Sequence, residues 1–142
     1  MNADSLLAEL KNHATDSFSI LRVIQKAVSL SGEEYDAKIV MLNWGVEKSK
    51  KHGYPSLEMD SYVELGWVYS ESHDKVNAIR SFSLGRAIAE KLGRREDQLG
   101  CLSTIASIYF YSNQTDKARQ IYERILVICK KYKLVAGRQC LL

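Results

Sequence analysis

Three histidines, His13, His52 and His73, are the side chains of this chain best suited to hold a metal or move a proton near neutral pH. They lie far apart, and none has a second ligand at i, i+4, so a metal site would need several elements to converge. They read as solvent-facing or loop histidines. The acidic pairs Glu33-Glu34 and Glu96-Asp97 could form an acid–base couple. Each, however, falls at an expected helix start, where the helix dipole alone favours carboxylates. Cys101, Cys129 and Cys140 are an odd number, lack C-x-x-C spacing and sit in apolar, helix-like stretches. They read as reduced thiols of a cytosolic protein, packing as small hydrophobes. Neither a G-x-S-x-G nucleophile turn nor a G-x-x-x-x-G-K-[ST] phosphate loop occurs. The sequence therefore reads as non-enzymatic, with no catalytic residue, cofactor or metal.

Basic residues recur in clusters: Lys48, Lys50, Lys51 and His52; Lys91, Arg94 and Arg95; Lys130, Lys131 and Lys133. Solvated helix C-termini, favoured by the dipole, account for them. The sharper reading is an edge for an acidic partner. Nucleic acid is disfavoured, because no aromatic residues interleave with the stripe and the net charge of the 142 residues is only +3. A hydrophobic content of 46% and a charged content of 26% are those of an ordinary globular chain. The amino terminus lacks a basic region followed by an apolar run. No apolar stretch approaches the roughly 18 residues that span a bilayer, so membrane insertion is not expected.

The elements that must position these residues are helices. Apolar residues recur at helical spacing: Leu6, Leu7, Leu10; Leu21, Ile24, Val28; Ile39, Leu42, Val46; Tyr62, Leu65, Tyr69; Ile79, Phe82, Ile88; Leu102, Ile105, Tyr109; Ile121, Tyr122, Ile125, Ile128. No segment alternates with period two, so no strand is expected. Ser31 and Glu34 have capping-box spacing. Asp74 and Thr115-Asp116 are natural N-caps. Gly53 and Gly93 follow basic last turns, and Pro55 suits a first helical turn.

Two stretches match at a fixed offset. Leu65-Gly66-Trp67-Val68-Tyr69, Ala78 and Phe82 correspond to Ile105-Ala106-Ser107-Ile108-Tyr109, Ala118 and Tyr122, since 106−66, 109−69, 118−78 and 122−82 all give 40. A first copy is weaker: Leu21, Ile24, Val28, Ala37 and Met41 fit, but Gln25 stands where a small residue is expected. Trp44 and Ile125 also occupy a usually small position. The pattern resembles tetratricopeptide (TPR) repeats, which run about 34 residues as antiparallel helix pairs. The resemblance implies an all-α fold, a right-handed superhelical stack of helix pairs forming a TPR-like α-solenoid. The expected organisation is a short N-terminal helix in 1–15, repeats at 16–53, 54–93 and 94–133, and the start of a fourth repeat at 134–142. Adding 40 to Gln98–Leu102 reaches Arg138–Leu142, so the chain reads as a piece of a longer protein.

In such arrays the first helix of each pair lines a concave groove. By register the groove residues are Ser19, Arg22, Lys26 and Ser29; then Asp60, Val63, Trp67, Ser70 and Glu71; then Gly100, Ser103, Ser107, Phe110 and Tyr111. Trp67 is the expected anchor. The resemblance implies a protein- or peptide-interaction module, cytoplasmic, with self-association as an alternative. Long repeats of this kind are also similar to the amino-terminal sensory regions of bacterial signalling proteins, including those with a GGDEF diguanylate cyclase domain. No GGDEF motif is present here. The second helix of the last pair is expected to expose Ile121, Ile125 and Ile128 in part.

Overall fold

The computed structural model describes residues 2–134, and among these all regular structure is helical. The helices are α1 (Ala3–Lys11), α2 (Ser17–Ser29), α3 (Tyr35–His52), α4 (Pro55–Glu71), α5 (Lys75–Leu92), α6 (Arg95–Tyr111) and α7 (Thr115–Tyr132). The expected repeat start at Arg138–Leu142 and Cys140 lie outside the described residues.

The spacing of elements follows the spacing of residues. Helices α3, α5 and α7 begin at 35, 75 and 115 and end at 52, 92 and 132; α4 and α6 run 55–71 and 95–111. The turns repeat as well. Gly53, Gly93 and Lys133 all have left-handed backbones, with φ of 74°, 71° and 55°. At each, the next amide reaches back five residues: Tyr54 N–H to Ser49 O, Arg94 N–H to Ala89 O and Leu134 N–H to Cys129 O, at 2.8, 2.9 and 2.8 Å. That bond uses a carbonyl the helix end would leave orphaned, and glycine reaches the required φ without steric cost. Pro55 opens α4, where its missing N–H costs nothing. Asp74 precedes α5 and accepts from the Asn77 backbone N–H at 3.1 Å and the Asn77 side-chain amide at 2.7 Å. These two bonds hold its carboxyl below the usual aspartate range.

Two expected starts move. Helix α3 begins at Tyr35 with Glu34 at the N-cap and no side-chain cap bond, so Ser31 does not form the capping box. Gly32, with φ of 62°, turns the chain there instead. Helix α7 is preceded by Gln114, and Thr115 and Asp116 fall inside its first turn.

The described residues form two compact units, which divide within α5 between Ser81 and Phe82. In the first, α3 packs against α1, α2 and α4. Its core holds Leu6, Leu10, Ile20, Val23, Ile24, Ala27, Met41, Leu42, Trp44, Leu65 and Val68. The α2 stripe therefore differs from the expected one: Ile20, Val23, Ile24 and Ala27 are buried, whereas Val28 is 51% exposed. Helix α2 carries two overlapping apolar stripes, and packing on α3 selects one. Ala27 is fully buried, and Gln25 is exposed.

Helix α3 shifts by one residue in the same way. Counting from the helix starts, Lys38 and Leu42 correspond to Ala78 and Phe82, not Ala37 and Met41, and the small position falls on Gly45 rather than Trp44. A Cβ at Gly45 would lie 2.9 Å from Ser61 Oγ and 3.2 Å from Ile24 Cγ1, so glycine is what lets α2, α3 and α4 approach.

In the second unit α6 packs on α7 around Leu99, Leu102, Ile125 and Cys129, with Ile121, Tyr122, Ile128 and Leu134 against them. Ile125 is fully buried, and Ile121 and Ile128 are half-buried. Ile121 and Ile128 thus face water in part, as expected, and Ile125 does not; Leu126, at 53%, and Val127, at 66%, are more exposed still. Val127, two residues from Ile125, lies on the far side of the helix, and Leu126 lies at its flank.

Candidate functional site

Helix α4 carries the most promising surface. Met59, Ser61, Leu65, Gly66 and Val68 form its buried side. Asp60, Val63, Glu64, Trp67, Ser70 and Glu71 recur three and four residues apart, so they share the opposite side. Asp60, Val63, Glu64 and Ser70 are half-buried and Glu71 is exposed. Trp67 is 46% exposed while Leu65, two residues away, is 2% exposed. The indole is therefore not a core residue of the first unit.

This face is electrostatically loaded. Burial, followed by the neighbouring carboxylates of Asp60 and Glu71, raises the Glu64 carboxyl above the ordinary glutamate range; Lys38 opposes them. Lys38 is buried and stands where the other two long helices carry Ala78 and Ala118. A charged residue at a position otherwise alanine sets α3 apart from α5 and α7 and was legible in the sequence. The reading of Ala37 as the equivalent residue concealed it. Tyr62, on the same helix, has its phenol raised by burial and then by Glu58.

Arg22 and Lys26 lie elsewhere in the first unit. With His13, Ala14, Ser19 and Val23 they line a cavity of about 450 Å³ that none of the α4 candidates lines. His13 is thus not a free loop histidine. Its Nδ1–H donates to Ala14 O at 2.9 Å, and its ring meets the Trp44 indole edge-on at 5.3 Å. Little in the sequence announces this, because the segment 12–16 precedes the repeating pattern. His52 and His73 are exposed or nearly so at helix ends, His73 in a left-handed turn after α4.

In the second unit the candidates separate again. Phe110, 52% exposed, lines a groove of about 470 Å³ with α7 residues that include Ala118, Tyr122 and Leu126. Ser103, Ser107 and Tyr111 do not line it. Tyr111 is exposed and meets the Phe110 ring edge-on at 5.3 Å. Ser107 donates its hydroxyl proton to Ser103 O at 3.0 Å, so it offers a ligand only acceptor capacity. Gly100 is exposed, and a side-chain carbon added there would meet nothing within 4 Å.

Lys50, Lys51 and His52 end α3, Lys91 ends α5 and Lys130 and Lys131 end α7, as the dipole favours. Arg94 and Arg95 correct the expectation: they are the N-cap and first residue of α6, where the dipole does not favour them and the Asp97 carboxylate offsets Arg94. Several members already have partners. Arg94 pairs with Asp97 at 2.7 Å, and Lys48 with Glu47 at 3.3 Å. Arg95 donates to Gln98 Oε1 at 2.9 Å and lies 4.0 Å over the Tyr132 ring. These contacts reduce what each cluster can offer an acidic ligand.

Among the described residues, no three His, Cys, Asp or Glu side chains gather as a metal-ligand set. Cys101 is a free, buried thiol pushed up to about 11 by burial and by Asp97. At neutral pH it is a packed thiol rather than a nucleophile. Cys129 is disulfide-bonded, which corrects the expectation of three reduced thiols. Among the described residues no helix is long and apolar enough to cross a membrane. No protein-family model, curated protein or solved structure matches the chain.

Proposed function

We propose that this chain is a protein- or peptide-interaction module of the tetratricopeptide kind, and that the outer face of α4 is its binding surface. The observation that carries this reading is Trp67. A large indole, nearly half exposed, sits among half-buried polar and acidic residues on a helix whose other side is firmly packed. Such an aromatic anchor flanked by hydrogen-bonding groups suits an extended peptide or a partner helix. The 40-residue recurrence of helix bounds and left-handed turns supports the repeat reading. A regulatory or sensory role in a larger cytoplasmic signalling protein, such as one with a diguanylate cyclase domain, follows only from the resemblance of the repeats. The test is quantitative capture of partners by immobilised wild-type chain, Trp67→Ala and Lys50→Gln/Lys131→Gln. The reading requires loss with Trp67→Ala and retention with the charge variant; the reverse result moves the surface to the basic edge.

A second reading, self-association, is favoured by one observation: Phe110, Leu126 and Val127 are each more than half exposed in the second unit. Apolar groups so exposed tend to find partners. Sedimentation equilibrium of wild type against Leu126→Glu tests it; a wild-type monomer at high concentration removes it.

A further inference from the structure

The cavity beside α2 has no role in the α4 reading, and its lining points to a ligand of defined charge. Arg22 and Lys26 stand four residues apart on one helix, and α2 contains no acidic residue to balance them. Like charges at that spacing repel. Among the described residues neither makes an ion pair: Arg22 lies 5.9 Å from the Phe18 ring centre, and Lys26 has no side-chain partner. The nearest carboxylate in sequence, Asp16, is otherwise engaged. It accepts the Ser19 backbone N–H at 3.0 Å and the Ser19 hydroxyl at 2.6 Å, as the N-cap of α2. Two cations are thus left side by side on the wall of a concavity.

The rest of the wall is suited to an organic body. Val23 and Ala14 are apolar, and the His13 ring is held in place by Ala14 O and Trp44. A volume of about 450 Å³ falls within the range of small-molecule sites and far exceeds a bare inorganic ion. We propose that this pocket binds a small organic oxyanion, its phosphate or carboxylate group held by Arg22 and Lys26 and its apolar part against Val23 and the His13 ring. Arg22 supplies a planar fork of donors and Lys26 a point charge, a pairing that neutralises an oxyanion while fixing its orientation. The site stands independently of the α4 face.

Calorimetric titration of the full chain with inorganic phosphate, phenyl phosphate and benzoate, at constant ionic strength, tests this. Phenyl phosphate or benzoate should bind, and more tightly than inorganic phosphate. Preference for the phosphate ester marks a phosphorylated ligand, and preference for benzoate a carboxylate; either supports the site. Arg22→Gln/Lys26→Gln alters two side chains outside the core and should weaken binding by about tenfold or more. Lys130→Gln/Lys131→Gln removes the same charge from the end of α7 and should leave binding unchanged. No binding by either organic anion, or equal loss in both variants, overturns the proposal.

Discussion

Gly45 and Gly100 are both helical glycines, and the same substitution should move stability in opposite directions. At Gly100 nothing lies within 4 Å of an added Cβ. Gly100→Ala therefore gains helix propensity and loses unfolded-state freedom, stabilising by about 0.5–1 kcal/mol. At Gly45 the same gain of about 1 kcal/mol meets a clash. The new Cβ would sit 2.9 Å from Ser61 Oγ and 3.2 Å from Ile24 Cγ1. Ser61 is fully buried and donates to Leu57 O at 2.8 Å, and Ile24 is buried too, so neither can swing away freely. Overpacking of this order costs about 1–3 kcal/mol, leaving Gly45→Ala destabilised by about 1 kcal/mol net. Urea unfolding followed by far-UV circular dichroism reads both variants. Trp44 and Trp67 are the two tryptophans of the chain and both lie in the first unit, so fluorescence follows that unit alone. Gly45→Ala/Ser61→Ala should recover part of the loss, because contacting residues couple. Equal shifts of the same sign for the two glycines, or strict additivity with Ser61→Ala, would refute the close approach of α3 and α4.

Glu64 should titrate above free glutamate in carboxyl NMR, and Lys38→Met should raise it further, since Lys38 is the cation that opposes the shift. The folded state then binds more protons than the unfolded one, so Glu64 makes stability fall as pH climbs from the ordinary glutamate pKa through its raised folded value. Cys101 should resist alkylation at mildly alkaline pH in the folded chain and react on unfolding, as mass spectrometry of its peptide would show. Lys133→Gly should stabilise the end of α7 by about 1 kcal/mol in urea unfolding, because a lysine with φ of 55° bears a steric cost that glycine at Gly53 and Gly93 does not.

Much of the helical architecture was legible because its signals are local. Glycine at 53 and 93, Pro55 and Asp74 each act within one turn, and each performs the expected task. What the sequence concealed depends on contacts between helices. Helix α2 offers two apolar stripes of similar quality, and only packing on α3 selects Ile20, Val23 and Ala27 over Val28. Helix α3 holds Ala37 beside Lys38 and Trp44 beside Gly45, so matching by residue type shifts the register by one. The buried lysine and the crowded glycine become evident only from the helix starts. On α7 the apolar run Ile125-Leu126-Val127-Ile128 surrounds the helix, and spacing alone could not say that Ile125 turns inward. Of the candidate surface, the α4 face was legible by period. The α2 cavity was not, because part of its wall comes from a connection with no repeating pattern.

The binding role proposed for α4 is tested most directly by site-specific photo-crosslinking in the source cells. A photoreactive residue at Ser70, on the Trp67 side of α4, is compared with one at Gln120, exposed on α7. The account predicts a discrete adduct from Ser70, absent from Gln120, that disappears with Trp67→Ala while the chain keeps its helical spectrum. Trp67 should contribute more than about 1 kcal/mol to that binding. An identical adduct pattern from both positions, or an adduct from Ser70 indifferent to Trp67→Ala, contradicts it.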